Sequence, residues 1–335
     1  MRATRLIFPE INRTAWEEFD VPEAPAAHEV IARSVTSLVS AGTELSIYTG
    51  AHMGYSLPHP PFPLMPHRPG YALVGELTAV GSAVEGLAVG QCVLMEAGHG
   101  TMAVADTRTH AVVPVPASVP STQAPLARLA GIAFTALRLA PPQLGERVVV
   151  LGLGLVGLLT CQLFRLAGGR PVVGVDQLAP RLKLAEAYGV MSADTSHEEM
   201  IPALCRVLGQ TDADIVIEAT GNPALVPAAL EIARPGGSVV LLGSTRGSVT
   251  LDAYSLLHRK AAHVIGGHET ALPFDSGHAW PRVRNLRLAL DLMAAGDLGT
   301  GGMITDELPF DRALGAHDLL RDHPVDHLGV VIHWR

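Results

Sequence analysis

The stretch VVVLGLGLVG, Val148 to Gly157, followed by VVGVD ending at Asp176, decides the fold. It reads as a buried strand, a glycine turn, an apolar helix, a second strand and then an acid, the order of a dinucleotide-binding βαβ unit. Gly152 permits the tight turn, Gly154 lets the backbone approach a pyrophosphate, and Gly157 lets the helix pack close to the strand. Leu155 and Val156 open a helix whose unpaired N–H groups and positive dipole end suit a phosphate. Asp176 follows about 20 residues on, where a carboxylate accepts hydrogen bonds from both adenine-ribose hydroxyls and repels a 2′-phosphate. The motif therefore implies NAD(H) as the cofactor, in preference to NADP(H).

The uncharged run Val148 to Phe164 is close to the roughly 17–25 residues that span a bilayer. Its three spaced glycines and the polar Thr160, Cys161 and Gln162 suit a soluble βα unit better. The amino-terminal MRATRLIFPEINRTAWEEF lacks the continuous apolar stretch of a signal peptide, so a soluble, cytoplasmic protein is expected. A chain of 335 residues, 48% of them hydrophobic, has enough apolar material for two domains. A net charge of −8 without a Lys/Arg cluster argues against a nucleic-acid partner. The expected partner is a small-molecule substrate, with no membrane contact. Cys92, Cys161 and Cys205 form no CxxC and read as reduced, buried thiols. Most of the fifteen histidines are isolated and read as solvated.

Residues 1 to about 120 alternate short β-like runs, such as HEVIARSVTSLVS and YALVGELTAVG, with Pro/Gly turns. Gln123 to Leu139 is helical in character. From Arg147, the strands VVVLG, VVGVD, DIVIEAT, SVVLLG and HVIGG alternate with helices. Such alternation implies an α/β fold with a doubly wound parallel sheet, preceded by a β-rich domain. After about residue 270 come two amphipathic helices, PRVRNLRLALDLMAAG and DRALGAHDLLRD, and a final strand, GVVIHW. Thr220, Gly221, Gly243 and the Gly266–Gly267 pair end successive strands, at the sheet edge where nucleotides bind.

With AGTE at Ala41 to Glu44, PGYALVGEL at Pro69 to Leu77, GLGLVG, and ATGN at Ala219 to Asn222, the whole chain resembles the medium-chain dehydrogenase/reductase superfamily of zinc-type alcohol dehydrogenases. GTELSIYTG, the PGY turn and the closing WR are similar to its bacteriochlorophyllide 3-hydroxyethyl dehydrogenase branch. The resemblance implies a GroES-like catalytic domain over 1–120 and 271–335 and a Rossmann domain over 121–270, with substrate in the cleft between them. It also implies Arg181 against the adenosine ribose, Thr135 on the nicotinamide side, and dimerisation through the sheet edge. The Pro/Met-rich loop HMGYSLPHPPFPLM reads as an apolar wall for the substrate.

The family's metal ligands are missing. By resemblance, Ala41 stands at the first ligand position, Tyr71 at the histidine and Ala72 at the following acid. The third position falls within LARLAGIAF, which offers no donor beyond Arg128, and the four-cysteine structural lobe is absent. A catalytic zinc needs three protein donors and an open position, so none is expected here. Hydrogen-bond donors must then serve the developing oxyanion. Thr43, at the family's proton-relay position, and Tyr71 are the candidates. Glu44 matches a position that orients neighbouring groups, and a structural salt bridge suits it equally. His99 and His67 could relay protons, though a surface role weighs more for each, and Ser46 and Tyr48 are supporting hydroxyls. The expected activity is zinc-independent, NAD(H)-dependent interconversion of a secondary alcohol and a ketone. Conjugate reduction of an activated C=C bond is the alternative enzyme reading, and a nucleotide-binding sensor without catalysis is the alternative of another class.

Overall fold

The computed structural model describes residues 1–56, 62–273 and 280–335. Residues 57–61 of the Pro/Met-rich loop lie outside this description. The chain forms two compact units: Met1–Arg128 with Pro273–Gly296 and Thr300–Arg335, and Leu129–Leu272 with Asp297–Gly299.

The first unit opens with an antiparallel hairpin, β1 (Arg2–Glu10) and β2 (Arg13–Asp20), whose turn puts Asn12 at φ 59°. Asparagine is among the few non-glycine residues that accept this left-handed conformation. The long strand β3 (Glu29–Val39) is followed by a short helix, α1 (Thr43–Tyr48). Then come β4 (Leu73–Val80), β5 (Cys92–Met95), β6 (Met102–Asp106) and β7 (Val112–Pro114). Helix α2 (Leu126–Leu139) carries the chain from the first unit into the second.

The second unit holds β8 (Val148–Leu151), α3 (Leu155–Leu166), β9 (Val172–Asp176), α4 (Ala179–Ala187) and β10 (Met191–Asp194). It continues with α5 (Met200–Leu208), β11 (Ala213–Glu218), α6 (Leu225–Ile232), β12 (Ala233–Leu241) and β13 (His263–Gly266). All neighbouring strands are parallel, in the order β10-β9-β8-β11-β12-β13. This is the doubly wound nucleotide-binding order, so the expected fold class is present. All four residues of β8 are buried, as befits a central parallel strand covered on both faces. Val149, Val173, Val216 and Val239 from four adjacent strands share one core. The edge strand β10 escapes the apolar pattern because MSAD is short and exposes both its end residues, Met191 and Asp194.

The chain then returns to the first unit through α7 (Arg282–Ala295), β14 (Asp306–Leu308), α8 (Ala316–Asp322) and β15 (Val330–His333). Seven strands make its sheet, ordered β14-β15-β3-β4-β5-β7, with β6 pairing β3. The expectation of three buried thiols is corrected: all are free, but only Cys161 is buried, Cys92 is half-buried and Cys205 is exposed. Among the described residues no helix is long and apolar enough to cross a membrane.

Candidate functional site

In the second unit the site is built from backbone. Gly152 adopts φ +92°, a left-handed conformation open to glycine, and a Cβ there would lie 2.5 Å from the Thr220 side chain. A Cβ on Gly157 would collide with the Gly152 carbonyl oxygen, so helix and turn touch backbone to backbone. Gly154 differs, because a Cβ there meets nothing within 4 Å. Packing does not require glycine at that position, and its absent side chain leaves the backbone open to close approach. Gly154 is also the N-cap of α3 and has no side chain to satisfy the first-turn N–H groups of Leu155, Val156 and Gly157.

Asp176, at the end of β9, lies beside this turn. Its Oδ2 accepts the Leu153 N–H at 2.7 Å, and its Oδ1 accepts those of Gln177 and Leu178 at 2.8 and 3.0 Å. A carboxylate has about four acceptor sites, so capacity for a ribose hydroxyl remains. Arg181 places a guanidinium nitrogen 3.8 Å from Oδ2. Thr220 and Gly221 form a turn around the buried Glu218 carboxylate, which accepts the Thr220 N–H at 2.7 Å and the Gly221 N–H at 3.0 Å, as well as the Thr220 hydroxyl. Sequence reasoning passed over Glu218, although an acid closing an otherwise apolar parallel strand is a readable signal. Gly243 packs against the Gly221 backbone, while Gly266 is exposed at the end of β13. Thr135 is buried in α2 with its hydroxyl unpartnered among the described residues.

In the first unit side chains make the site. Gly70 (φ +101°) and Gly98 let the PGY turn and the GHG turn touch, with the His99 N–H donating to the Pro69 carbonyl at 3.0 Å. This contact brings Tyr71 and His99 to the start of α1. The Tyr71 hydroxyl donates to Ser40 Oγ at 2.6 Å. The Arg128 guanidinium carbon lies 4.9 Å from the Tyr71 ring centroid, and Arg128 Nε is 2.9 Å from Glu96. Burial pushes the Tyr71 phenol above its ordinary pKa and Glu44 adds to the rise, while Arg128 and the Ser40 and Thr43 hydroxyls oppose it. Tyr71 and Thr43 are therefore brought together, with Tyr71 in its protonated, donating form.

Behind them lies a buried polar network. Glu44 Oε1 accepts the Ser40 N–H at 3.0 Å, and Oε2 accepts His99 Nε2–H at 2.9 Å and His317 Nε2–H at 3.0 Å. Burial by itself would raise the Glu44 pKa. The pull of His99 and the hydrogen bonds from both imidazoles outweigh it and hold the value at about 2. His99 Nδ1 lies 2.7 Å from Ser37 Oγ, which also accepts Trp334 Nε1–H at 2.9 Å. Because an indole only donates, the Ser37 hydroxyl proton is free to point at His99 Nδ1, which assigns the ring proton to Nε2. The surface role expected for His99 is thus corrected: the side chain is buried, since the two glycine turns enclose it. Glu44 is the hub of this buried hydrogen-bond network. His317 was missed, although it shares the buried face of α8 with Ala316 and Leu320, a spacing that helical periodicity makes legible. His67 is half-buried with its pKa lowered by burial, and Ser46 and Tyr48 are buried, bonded to the Thr43 carbonyl and Asp318.

The Ala41 side chain offers no donor atom, and Tyr71 carries the Arg128 guanidinium over its ring. Among the described residues, Glu44, His99 and His317 alone place three potential ligand atoms within 4.8 Å of one another. The hydrogen-bond network of these three closes without a metal. Binding one would strip both Nε2 protons and force a proton onto His317 Nδ1, a buried atom with no partner.

Residues 156–282 match the family model described as zinc-binding dehydrogenase. D-xylulose reductase A from Aspergillus oryzae is 25% identical, over 90% of this chain and 89% of its own length. L-threonine 3-dehydrogenase from Pyrococcus abyssi is 27% identical over 91% of both chains. The solved structure of galactitol-1-phosphate dehydrogenase from Escherichia coli superposes with a TM-score of 0.81 at 20% identity, covering 98% of this chain and 99% of that one. A short chain alcohol dehydrogenase from E. coli CFT073, complexed with NADH, also reaches 0.81, at 18% identity and 99% coverage of both chains. The chain is thus similar along most of its length to dehydrogenases and reductases, and the solved structures share its fold.

Proposed function

We propose that this protein is a zinc-independent, NAD(H)-dependent oxidoreductase that interconverts a secondary alcohol and a ketone. The observation that carries the reading is the Tyr71–Ser40–Thr43 hydroxyl group, standing where the family's metal ligands are replaced. The second unit's glycine turn and Asp176 are suited to hold the dinucleotide, whose nicotinamide supplies or accepts the hydride. In the reductive direction Tyr71 gives its phenolic proton to the carbonyl oxygen as the carbon receives hydride, and the resulting tyrosinate is reprotonated from water. Thr43 shares the hydrogen bond to that oxygen. Such donors are most effective when aimed at developing charge in a water-poor site. The xylulose and threonine enzymes among the relatives favour a hydroxylated secondary alcohol, and the branch resemblance adds tetrapyrrole side-chain alcohols.

Following NADH absorbance over polyols, amino alcohols and tetrapyrrole alcohols should identify the substrate. With it, Tyr71→Phe should lower turnover by about 10²- to 10⁴-fold while NADH affinity stays nearly intact. A change below about threefold would make Tyr71 a filler of volume and sink the reading. Elemental analysis of the purified protein should find no stoichiometric zinc; about one zinc per chain would overturn zinc independence.

A further inference from the structure

We propose that Arg128 is the positioning residue for the Tyr71 proton donor, its guanidinium held over the ring by Glu96 so that negative charge on the phenol is stabilised as the proton leaves. The inference rests on the reading of Tyr71 just given. A cation over an aromatic face is attracted by the ring's quadrupole, and more strongly once desolvated. Arg128 is buried, with 6% of its surface exposed, so this attraction is weakly screened. When Tyr71 transfers its proton to the reacting oxygen, the ring gains a full charge and the attraction becomes an ion pair. The guanidinium thus serves the deprotonated donor without ever touching substrate. It does so at the one stretch where the family would look for a third metal ligand.

The anchoring is specific. Glu96, just beyond β5, faces Arg128 at 2.9 Å, accepts the Ala111 N–H at 3.0 Å and lies 3.7 Å from Arg282 of α7. The other groups facing Tyr71 are Ser40, and Thr43 and Glu44 of α1. Of the charged groups among these, Arg128 favours the phenolate and Glu44 opposes it. A lysine could supply charge, but not the planar, forked group that stacks on a ring while binding a carboxylate.

The test reads Tyr71 directly and needs neither cofactor nor substrate. The five tyrosines of the full chain are replaced by 3-fluorotyrosine, whose phenol is more acidic, and followed by ¹⁹F NMR against pH. The Tyr71 resonance is assigned by its loss in Tyr71→Phe. Arg128→Gln should raise the Tyr71 titration by about one pH unit, whereas Arg128→Lys should raise it by less than half as much. Glu96→Gln removes the carboxylate that offsets the guanidinium and should move the titration the other way, to lower pH. Should Arg128→Gln fail to fold, the Glu96→Gln titration decides by itself. An unmoved resonance in Arg128→Gln, or an upward or absent shift in Glu96→Gln, overturns the proposal. With substrate in hand, Arg128→Gln should lower kcat about tenfold with KM little changed. If the resonance shifts as expected while Tyr71→Phe turns over normally, the reading of Tyr71 as donor has failed and the proposal falls with it.

Discussion

The two units solve the same problem, fixing polar groups in place, by opposite means. The cradle of the second unit is backbone: glycines that exclude side chains, a helix end whose N–H groups are left uncapped, and a carboxylate at a strand end with acceptor capacity to spare. The network of the first unit is side chain: Trp334, Ser37, His99, Glu44 and His317, buried and bonded so that among the described residues His317 Nδ1 alone of its polar atoms lacks a partner. The cradle keeps its donors for a ligand, whereas the network uses its donors internally. A group meant to bind must stay unsatisfied at the surface, where water bridges the gap until the ligand arrives. A group meant to position others can be buried when its charge and most of its polar atoms are satisfied, because an unpaired buried charge is costly.

The largest effect that would break this comparison is loss of the hub. Glu44→Ala leaves two buried imidazole N–H groups and the Ser40 amide without their acceptor, and should cost about 3–5 kcal/mol of unfolding free energy, since each unsatisfied buried group costs about 1–3 kcal/mol. Equilibrium denaturation should show that loss with NADH affinity of the folded protein unchanged; a loss under about 1 kcal/mol would show that the network is not structural. The sign of its pH dependence follows from the depressed carboxyl. The contribution is fully present above the unfolded value of about 4.5 and disappears as pH falls toward about 2, so the gap between wild type and Glu44→Ala should close across that window.

The next effect belongs to the cradle. Gly154→Ala should leave the unfolding midpoint nearly unchanged, because a Cβ there meets nothing within 4 Å. It should nevertheless weaken NADH binding by at least about 100-fold, close to 3 kcal/mol. Calorimetric titration beside thermal unfolding separates the two, and equal binding by the variant would show that Gly154 is not a point of cofactor approach. The smallest effect sharpens the cofactor choice. The wild type should bind NADH more tightly than NADPH, and Asp176→Ser should narrow that preference about tenfold by removing the charge that repels a 2′-phosphate. A wild type that prefers NADPH would remove the case for NAD(H).

The cradle was legible because its parts are local. Turn, helix start and acid all lie within Gly152 to Asp176, and each is demanded by the geometry of a single βα unit, so residue type and spacing carry the message. Alternating apolar runs likewise announced the doubly wound sheet, except for β10, whose four residues expose too much to form a pattern. Ala41 and Tyr71 stand out in the sequence only by resemblance. Only the tertiary structure decided what surrounds them. Ser37 and Trp334 are 297 residues apart, and Glu44 and His317 are 273 apart. Such partners meet because β15 and α8 return to the first unit after the whole nucleotide fold has intervened. His99 looks like a loop histidine until Gly70 and Gly98 let two turns close over it, and Arg128 like a helix arginine until α2 carries it over the Tyr71 ring. Sequence determines a contact when backbone geometry over a few residues enforces it; when chain segments far apart must be packed together first, the fold alone decides.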